Sequence, residues 1–295
     1  MVAIYDCFPF FNELDVLQIR LAELAPHVDH FVLAEATRTH TGKPKPLFYQ
    51  ENRQRFAQYA DKIIHIVVDD LPVDGDDWDR DHFQRHAVVR GLGLAQPNDV
   101  ILLSDADEIP DPQIIAQFRR GISGAIHFIE CDYYCYKLNL KVLDKWIGGC
   151  ATRAIEFQHL PRHMQVFRQL RARQSRRLPA PLNAALSMAR NKLRFGAFLR
   201  HHVHEHAGWH FTFVNDTGAI KYKIEAFAHQ EFNTPELASL GSIERMIADR
   251  KSICGRAMQR VGDEQLPRTV RANRAAYAAL LCDEAEAIAE LAPRP

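Results

Sequence analysis

The chain has 295 residues, with 37 basic and 37 acidic side chains and 47% hydrophobic residues. This is ordinary globular composition and argues against a disordered protein. The length suits one large α/β domain or two smaller ones. No apolar run approaches the ~20 residues of a membrane span, and no signal-peptide pattern precedes the first apolar segment, so we expect a cytoplasmic protein.

Charged residues are unevenly distributed along the chain. Residues 61–111 contain thirteen acidic and four basic residues, whereas residues 157–204 contain nine Arg, one Lys and no acidic residue. Such a basic block attracts nucleotide diphosphates, nucleic acid or an acidic membrane surface, although a solvated helix face is the alternative. No aromatic residue lies between Arg171 and Arg194, which disfavours nucleic-acid binding. We therefore expect residues 162–200 to contact an anionic acceptor or, peripherally, the inner face of an anionic membrane.

Several common functional motifs are absent. There is no GxGxxG after the first apolar segment, no GxxxxGK[ST] and no GxSxG, which disfavours dinucleotide binding, P-loop chemistry and a hydrolase nucleophile elbow. The histidines between residues 201 and 210 have no cysteine at zinc-ligand spacing, so a cationic loop is the better interpretation. The cysteines lack CxxC spacing and are expected to be reduced, mostly buried thiols: Cys7, Cys131, Cys135, Cys150, Cys254 and Cys282.

The first hundred residues alternate between apolar segments of strand length and segments with helical spacing. We predict strands at Val2–Cys7, His30–Ala34, Lys62–Val68 and Val100–Leu103. We predict helices at Glu13–Leu24, Asn52–Tyr59 and Asp79–Leu92. This alternation indicates a parallel, Rossmann-like sheet.

Beyond residue 124 the regular alternation is lost. We predict further strands at Ala125–Tyr136, Gly208–Phe213 and Ile220–Phe227. We predict helices at Leu182–Leu199, Ile243–Arg250 and Arg271–Ala292. Because no repeat or low-complexity linker interrupts the chain, we expect one α/β domain, a mixed sheet flanked by helices, with a helical C-terminal tail.

Three carboxylates follow the apolar segment Val100–Leu103 within five residues: Asp105, Asp107 and Glu108. A short, wholly apolar run is typical of a strand buried on both faces, and open α/β sheets bind ligands at the carboxyl ends of such strands. In an extended chain Asp105 and Asp107 point to the same side, where their oxygens suit Mg²⁺ or Mn²⁺ and a substrate phosphate. A solvated acidic turn is the alternative.

Five segments together resemble glycosyltransferase family 17: DCFPFFNELD at residues 6–15, VDHFVLAEAT at 28–37, TGKPKPL at 41–47, SDADEIP at 104–110 and GWHF at 208–211. The resemblance covers about the first 150 residues and then residues 208–233. It implies a GT-A-type fold, with a nucleotide-sugar-binding half at 1–124, an acceptor and metal half at 125–233 that includes the Arg-rich insertion at 162–200, and the helical tail at 234–295.

The resemblance also implies a reaction. Animal members of the family are β-1,4-N-acetylglucosaminyltransferases that use UDP-GlcNAc and invert the sugar linkage. We therefore expect a metal-dependent, inverting transfer of a sugar, most simply GlcNAc, from a UDP-sugar. The chain resembles a bacterial-type member, for which a polysaccharide or lipid-linked saccharide is the expected acceptor.

By the same resemblance, candidate residues can be assigned. Asp107 is expected to bind Mn²⁺ or Mg²⁺ directly, with Asp105 as a further ligand and His229 as a late histidine ligand, His210 being the second choice. Inversion requires a general base, for which Glu231 is the first candidate and Asp132 and Glu205 are the alternatives. The residues expected to bind the donor are Phe8, Asn12, Glu13, Glu35, Arg85, Asp105, Trp209 and His210.

Two other classes of function compete with this interpretation. A metal-dependent phosphohydrolase acting on a nucleotide or sugar phosphate would also place aspartates at a strand end, but it would release phosphate without an acceptor. A non-catalytic nucleic-acid binder would use the Arg-rich segment. Structural alternatives also exist for single residues: Arg85 as a surface helical arginine, and Glu35 as a strand-end carboxylate held by Arg38.

Overall fold

The computed structural model describes residues 1–143, 151–171 and 179–282. Within these, seven strands form the larger sheet, in the spatial order β10-β6-β9-β4-β1-β2-β3. Their bounds are β1 Ile4–Phe10, β2 His30–Ala36, β3 Ile63–Val68, β4 Val100–Leu103, β6 Ala125–Glu130, β9 Ala151–Glu156 and β10 Arg200–His204. Strands β1 to β4 run parallel to one another, and β6 and β10 form a second parallel pair. Strand β9 lies between β4 and β6 and is antiparallel to both. The expected mixed α/β sheet is confirmed.

Both faces of the larger sheet are buried, as the apolar segment at Val100–Leu103 predicts. Val100 and Leu102 pack into one core cluster with helix α1, Leu14–Leu24. Ile101 and Leu103 pack into another with helix α5, Met164–Arg168. Because neighbouring residues of a strand point to opposite faces, four consecutive apolar residues are needed to fill both cores.

The order in which strands are added to the larger sheet reverses at β1. The chain proceeds from β1 through β2 to β3 on one side and then returns to place β4 on the other side. At such a switch point the loops that leave the two central strands separate and open a crevice. The crevice here lies beyond Phe10, at the end of β1, and Leu103, at the end of β4.

A smaller sheet of five described strands lies beside this crevice, in the order β12-β8-β7-β11-β5. Its strands are β5 Glu108–Pro110, β7 Asp132–Cys135, β8 Leu140–Val142, β11 Gly208–Thr212 and β12 Met258–Arg260. Gly208 permits the contact of β11 with β5, since its φ is +149° and a Cβ there would lie 2.3 Å from the Ile109 carbonyl oxygen. This contact sets His210 opposite Glu108.

The remaining helices pack around the two sheets. They are α2 Phe48–Glu51, α3 Asp77–Ala87, α4 Pro112–Gln117, α6 Ala180–Phe195, α7 Thr217–Ala226, α8 Pro235–Ala238, α9 Leu240–Ala248 and α10 Arg268–Ala272. Short 3₁₀ segments include Arg53–Lys62, Val88–Gly91 and Arg274–Leu280. None of the helices in the described ranges is both long enough and apolar enough to cross a bilayer.

Several predicted elements differ from the structure. Ala125–Tyr136 was expected to be one strand but forms two, β6 and β7, which belong to different sheets. Ile220–Phe227 was expected to be a strand, but all of it except Phe227 lies in helix α7. Asp216 caps this helix by accepting a hydrogen bond from the Ala219 N–H at 2.8 Å. Ile220 and Ile224 then share the buried face that four-residue spacing produces. The continuous helix predicted from Arg271 is also wrong, since α10 ends at Ala272 and a separate 3₁₀ segment follows; residues 283–292 lie outside the described residues.

The basic helix predicted at Leu182–Leu199 is confirmed, with bounds Ala180–Phe195 and Gly196 in the left-handed conformation after its end. Three arginines of the same block, Arg173, Arg176 and Arg177, lie outside the described residues, as does Cys150. Within residues 234–282 the expected helical tail is only partly present: it contains helices α8, α9 and α10, but also turns and β12, which pairs with β8 in the smaller sheet. Of the five described cysteines only Cys7 and Cys135 are buried, so the expectation of mostly buried thiols is wrong; burial raises the pKa of these two thiols.

Candidate active site

A large cleft of about 2130 Å³ opens at the switch point. The residues that line it include Glu13 from the segment after β1, Asp105 and Asp107 from the loop after β4, and Lys223 from helix α7. Arg85 on α3 and His210 on β11 also line it. The two sheets thus bring together side chains that are more than two hundred residues apart in sequence.

Asp105 and Asp107 do not lie on extended backbone, so that expectation is wrong. The chain turns after β4, and the Glu108 N–H donates a hydrogen bond to the Asp105 carbonyl oxygen at 3.0 Å. The Asp105 N–H in turn donates to the Glu108 carboxylate at 3.1 Å. Because of this turn, the carboxylates of Asp105 and Asp107 are held by different sets of cationic side chains.

The carboxylate of Asp107 lies between Lys223 and His210. Lys223 Nζ is 3.0 Å from Oδ2, and His210 Nε2 is 3.5 Å from Oδ1. Burial by itself would raise the pKa of Asp107, but the positive charge of Lys223 and the His210 contact hold it well below its usual range. Asp107 is therefore ionised at every pH at which the protein is expected to work.

Lys223 also contacts a second carboxylate. Its Nζ atom lies 2.5 Å from Glu13 Oε1, so one ammonium joins the segment after β1 to the loop after β4. The other oxygen of Glu13 accepts hydrogen bonds from the backbone N–H groups of Phe11 and Asn12. Burial would lower the pKa of Lys223, but Asp107 and Glu13 raise it above the ordinary lysine value.

Asp105 is held by two arginines. Arg168 Nη2 donates to Asp105 Oδ2 at 2.8 Å, and Arg85 Nη2 donates to Oδ1 at 3.3 Å. Burial opposes ionisation, yet the two guanidinium groups lower the pKa of Asp105 to about 2. Arg168 is further fixed by Glu108 and Arg85 by Asp81. Arg85 is therefore part of the cleft wall and not a surface helical arginine.

Arg20 on α1 supports the acidic loop, residues 104–108 after β4, from beneath and was not predicted from the sequence. It is fully buried, and its guanidinium forms two hydrogen bonds with Asp6 of β1. The remaining N–H groups donate to the Ser104 hydroxyl and to the carbonyl oxygens of residues 105, 106 and 108. The sequence holds one indication of this role: Arg20 lies beside Leu17 and Leu21, on the face of the helix that the apolar spacing predicts to be buried.

Other predicted donor-binding residues lie away from the described cleft wall. Phe8 is buried in β1 beneath the Arg20 guanidinium, 4.4 Å from ring centre to Cζ. Glu35 is buried within β2, where it accepts hydrogen bonds from the Tyr49 and Gln50 N–H groups and contacts His65 Nε2 at 3.1 Å. These contacts position helix α2, and Arg38 is not the partner of Glu35.

Trp209 and Asn12 have structural contacts. Trp209 donates its indole N–H to the Gln265 carbonyl oxygen at 2.7 Å, which ties β11 to the segment before α10. Asn12 is buried at the start of α1, where its backbone N–H donates to Glu13. Among the predicted donor-binding residues, the structure brings Glu13, Arg85, Asp105 and His210 into the described cleft wall.

His229 lines the cleft but is paired with Glu231 and not with the acidic loop. His229 Nδ1 lies 2.6 Å from Glu231 Oε1, and its ring packs edge-on against Trp78. The Glu231 side chain is 59% exposed. Of the alternatives for the base, Asp132 and Glu205 both line the cleft, and the Asp132 carboxylate lies 2.7 Å from both Lys141 Nζ and His206 Nδ1.

The donor atoms of the acidic loop suit a divalent cation that also contacts a substrate phosphate. No group of three or more His, Cys, Asp or Glu side chains within residues 1–143, 151–171 and 179–282 is placed to hold a metal ion alone. Mg²⁺ and related ions are commonly held by only one or two carboxylates, the rest of the shell being phosphate and water. Asp107 and Asp105, with the imidazole of His210 beside Asp107, therefore fit such an ion in donor type.

Comparison with known proteins identifies the family of this chain. The model of glycosyltransferase family 17 matches residues 2–169, which is more than half of the chain. A β-1,4-mannosyl-glycoprotein 4-β-N-acetylglucosaminyltransferase from Homo sapiens is 35% identical over 107 residues, and the Rattus norvegicus and Mus musculus proteins of that name are 35% and 34% identical. The match spans 34% of this chain and about a fifth of each relative. The chain belongs to glycosyltransferase family 17.

Proposed function

We propose that this chain transfers N-acetylglucosamine from UDP-GlcNAc to a saccharide acceptor, with inversion at the sugar carbon and with the help of Mn²⁺ or Mg²⁺. The observation that carries the proposal is the acidic loop at the switch point, where Asp105 and Asp107 face a cleft together with Lys223, Arg85 and Arg168. A diphosphate needs cations around it, and α/β sheets bind nucleotides at this edge. The family and the names of the relatives support the choice of sugar.

In this reaction the acceptor oxygen forms a bond to the sugar carbon while the bond from that carbon to the diphosphate breaks. Lys223, Arg85 and Arg168 would balance the negative charge that grows on the departing diphosphate, and they are already oriented by their carboxylate partners. Asp107 and Asp105 would hold the divalent ion, which supplies additional charge stabilisation there.

The acceptor hydroxyl must lose its proton to a base on the face of the sugar opposite the diphosphate. We propose Asp132 for this role in preference to Glu231. Asp132 lines the cleft at the start of β7 and is held by Lys141 and His206, whereas Glu231 is largely exposed and bound to His229. Glu205 lines the same cleft and is the next candidate.

The acceptor side of the proposal rests on charge. Arg171 and Arg200 line the cleft, and the basic helix α6 contributes Asn183, Ser187 and Met188 to the same wall. An acceptor that carries phosphate or carboxylate groups, such as a lipid-linked saccharide, would be attracted to this side. We propose that the protein meets such an acceptor at the cytoplasmic face of an anionic membrane, through residues 162–200.

A nucleotide screen tests the proposal directly. We expect UDP with Mn²⁺ to raise the melting temperature, since a ligand at about 100 times its Kd adds roughly 2.7 kcal/mol of stability. Transfer from UDP-GlcNAc to a saccharide acceptor is then measured beside phosphate release from nucleotides and sugar phosphates. Equal stabilisation by UDP, GDP and CDP would contradict the donor, and phosphate release without an acceptor would favour the phosphohydrolase.

A further inference from the structure

Lys223 pairs with the carboxylate that the proposed divalent ion would use. Its ammonium lies 3.0 Å from Asp107 and 2.5 Å from Glu13, and it faces the cleft with a side chain that is 16% exposed. The charge of Asp107 is therefore already balanced by the protein itself. Arg20 holds the backbone of the same loop by three carbonyl oxygens, so the loop cannot move away from the ammonium easily.

A divalent ion and this ammonium would compete for the same carboxylate. Mg²⁺ binds carboxylate oxygens at about 2.1 Å and keeps an ordered shell of ligands around it, so on Asp107 Oδ2 it would compete with the Lys223 ammonium for the same lone pairs. Two cations at this distance would also repel each other. Lys223 differs from Arg85 and Arg168 in its flexible four-carbon stem and single charged atom, which allow it to change partners.

A nucleoside diphosphate offers Lys223 such a new partner. The diphosphate oxygens would enter the same cleft, where the ammonium can bind them and release Asp107. We propose that the Lys223 ammonium, while it is bound to Asp107, excludes the divalent ion from that carboxylate. When a nucleoside diphosphate binds, the ammonium moves to the diphosphate oxygens and Asp107 becomes available to the ion. Lys223 thereby couples metal binding to donor binding. The inference rests on the proposed use of a nucleotide-sugar donor and a divalent ion.

The coupling can be measured without the transfer reaction. Mn²⁺ binding is followed by electron paramagnetic resonance or calorimetry, with and without UDP. In the unaltered protein we expect UDP to tighten Mn²⁺ binding by about 10-fold or more, within the usual range of coupling between two ligands. In Lys223→Met we expect Mn²⁺ alone to bind more tightly than it does in the unaltered protein, and the effect of UDP to shrink.

Two matched controls separate competition from a general change of charge. Lys221 lies on the same helix and pairs with Glu225 at the surface, so Lys221→Met is expected to leave both Mn²⁺ constants unchanged. Lys141 lines the cleft and pairs with Asp132, so Lys141→Met removes a positive charge inside the cleft and is expected to preserve the UDP coupling. Lys223→Gln repeats the test if Lys223→Met does not fold.

The outcomes distinguish this inference from the proposed function. If the Lys223 variants bind Mn²⁺ with unchanged affinity and unchanged UDP coupling, or if no form of the protein binds Mn²⁺, the inference is overturned. Transfer from UDP-GlcNAc combined with unaltered coupling overturns the inference alone. The expected coupling without any transfer from UDP-GlcNAc leaves the inference standing and overturns the proposed activity.

Discussion

Asp107 joins three parts of the molecule through one carboxylate: the loop after β4, helix α7 through Lys223 and strand β11 through His210. Asp107→Asn preserves the shape of the side chain and removes its charge. We expect transfer to fall by about 10²–10³-fold, because an interaction that stabilises the departing diphosphate is lost. Lys223 keeps Glu13 as a partner, so the melting temperature is expected to change little.

Transfer rate and the affinity for UDP with Mn²⁺ are the measurements that check this prediction. Asp69→Asn provides a control, because Asp69 is exposed and lies outside the cleft wall. If Asp107→Asn binds UDP and Mn²⁺ as tightly as the unaltered protein does, Asp107 is not a metal ligand.

The identity of the general base is a second question at the scale of single residues. We expect Asp132→Asn to lower kcat strongly while UDP affinity stays the same, since the base acts on the acceptor and not on the donor. Glu231→Gln is expected to transfer at nearly the normal rate, because its side chain is exposed and bound to His229. The reverse pattern in the two kcat values would restore Glu231 as the base.

At the scale of secondary-structure elements, Arg20 of α1 connects strand β1 in the core to the acidic loop of the site through its hydrogen bonds. Arg20→Met would leave Asp6 buried without its partner, and breaking a buried ion pair typically costs about 3–5 kcal/mol. It would also free the carbonyl oxygens of the acidic loop. We therefore expect a large drop in the free energy of unfolding, measured by urea denaturation.

A matched arginine pair lies at the surface. Arg55 pairs with Asp15 of α1, and both side chains are more than a third exposed. Arg55→Met is expected to cost no more than about 1 kcal/mol. Equal losses in Arg20→Met and Arg55→Met would show that burial of the Arg20 pair is not what supports the loop.

The elements of the first hundred residues could be predicted because their signals are local. Leu17, Leu21 and Leu24 have helical spacing, and Val100–Leu103 is wholly apolar, so the periodicity alone indicates α1 and β4. In α7 the alternation at Ile220, Tyr222 and Ile224 fits a strand as well as a helix. The cap at Asp216 decides between the two, and its weight could not be judged from the pattern.

The candidate site was only partly predictable for a different reason. Asp105 and Asp107 could be found because they directly follow a buried strand. Lys223 lies 116 residues from Asp107 in sequence, and Arg168 lies 63 residues from Asp105. No local pattern marks such partners, since the pairing exists only after two sheets have brought the segments together. The same folding removes Phe8 and Glu35 from the cleft wall that is described.

At the scale of the whole molecule, the acidic loop is expected to influence stability in acid. The pKa of Asp105 falls from an ordinary 3.8 to about 2 in the folded protein, mainly through Arg168 and Arg85 acting against burial. A carboxyl group whose pKa is lowered on folding stabilises the fold above its unfolded pKa, and this contribution is lost as the pH falls towards the folded pKa. We therefore expect the free energy of unfolding to decrease between about pH 4 and pH 2.

The dependence on Asp105 is checked with urea denaturation at a series of pH values. Asp105→Asn is expected to lessen the decrease below pH 4, because the amide does not titrate. Asp70→Asn gives a comparison, since Asp70 and Arg90 form an exposed pair whose contribution is expected to be small. A pH profile of Asp105→Asn that is identical to that of the unaltered protein would contradict the assignment.

The hydrogen bonds from Arg20 bear on how the protein is inactivated by heat. Many enzymes lose activity when a mobile lid opens, well before the rest of the structure unfolds. Here the acidic loop shares a buried guanidinium with β1 and α1, so we expect the loop to unfold together with the core. We expect the loss of UDP binding and the loss of tertiary structure to share one midpoint on heating, and a site that fails several degrees earlier would show that the loop opens independently of the core.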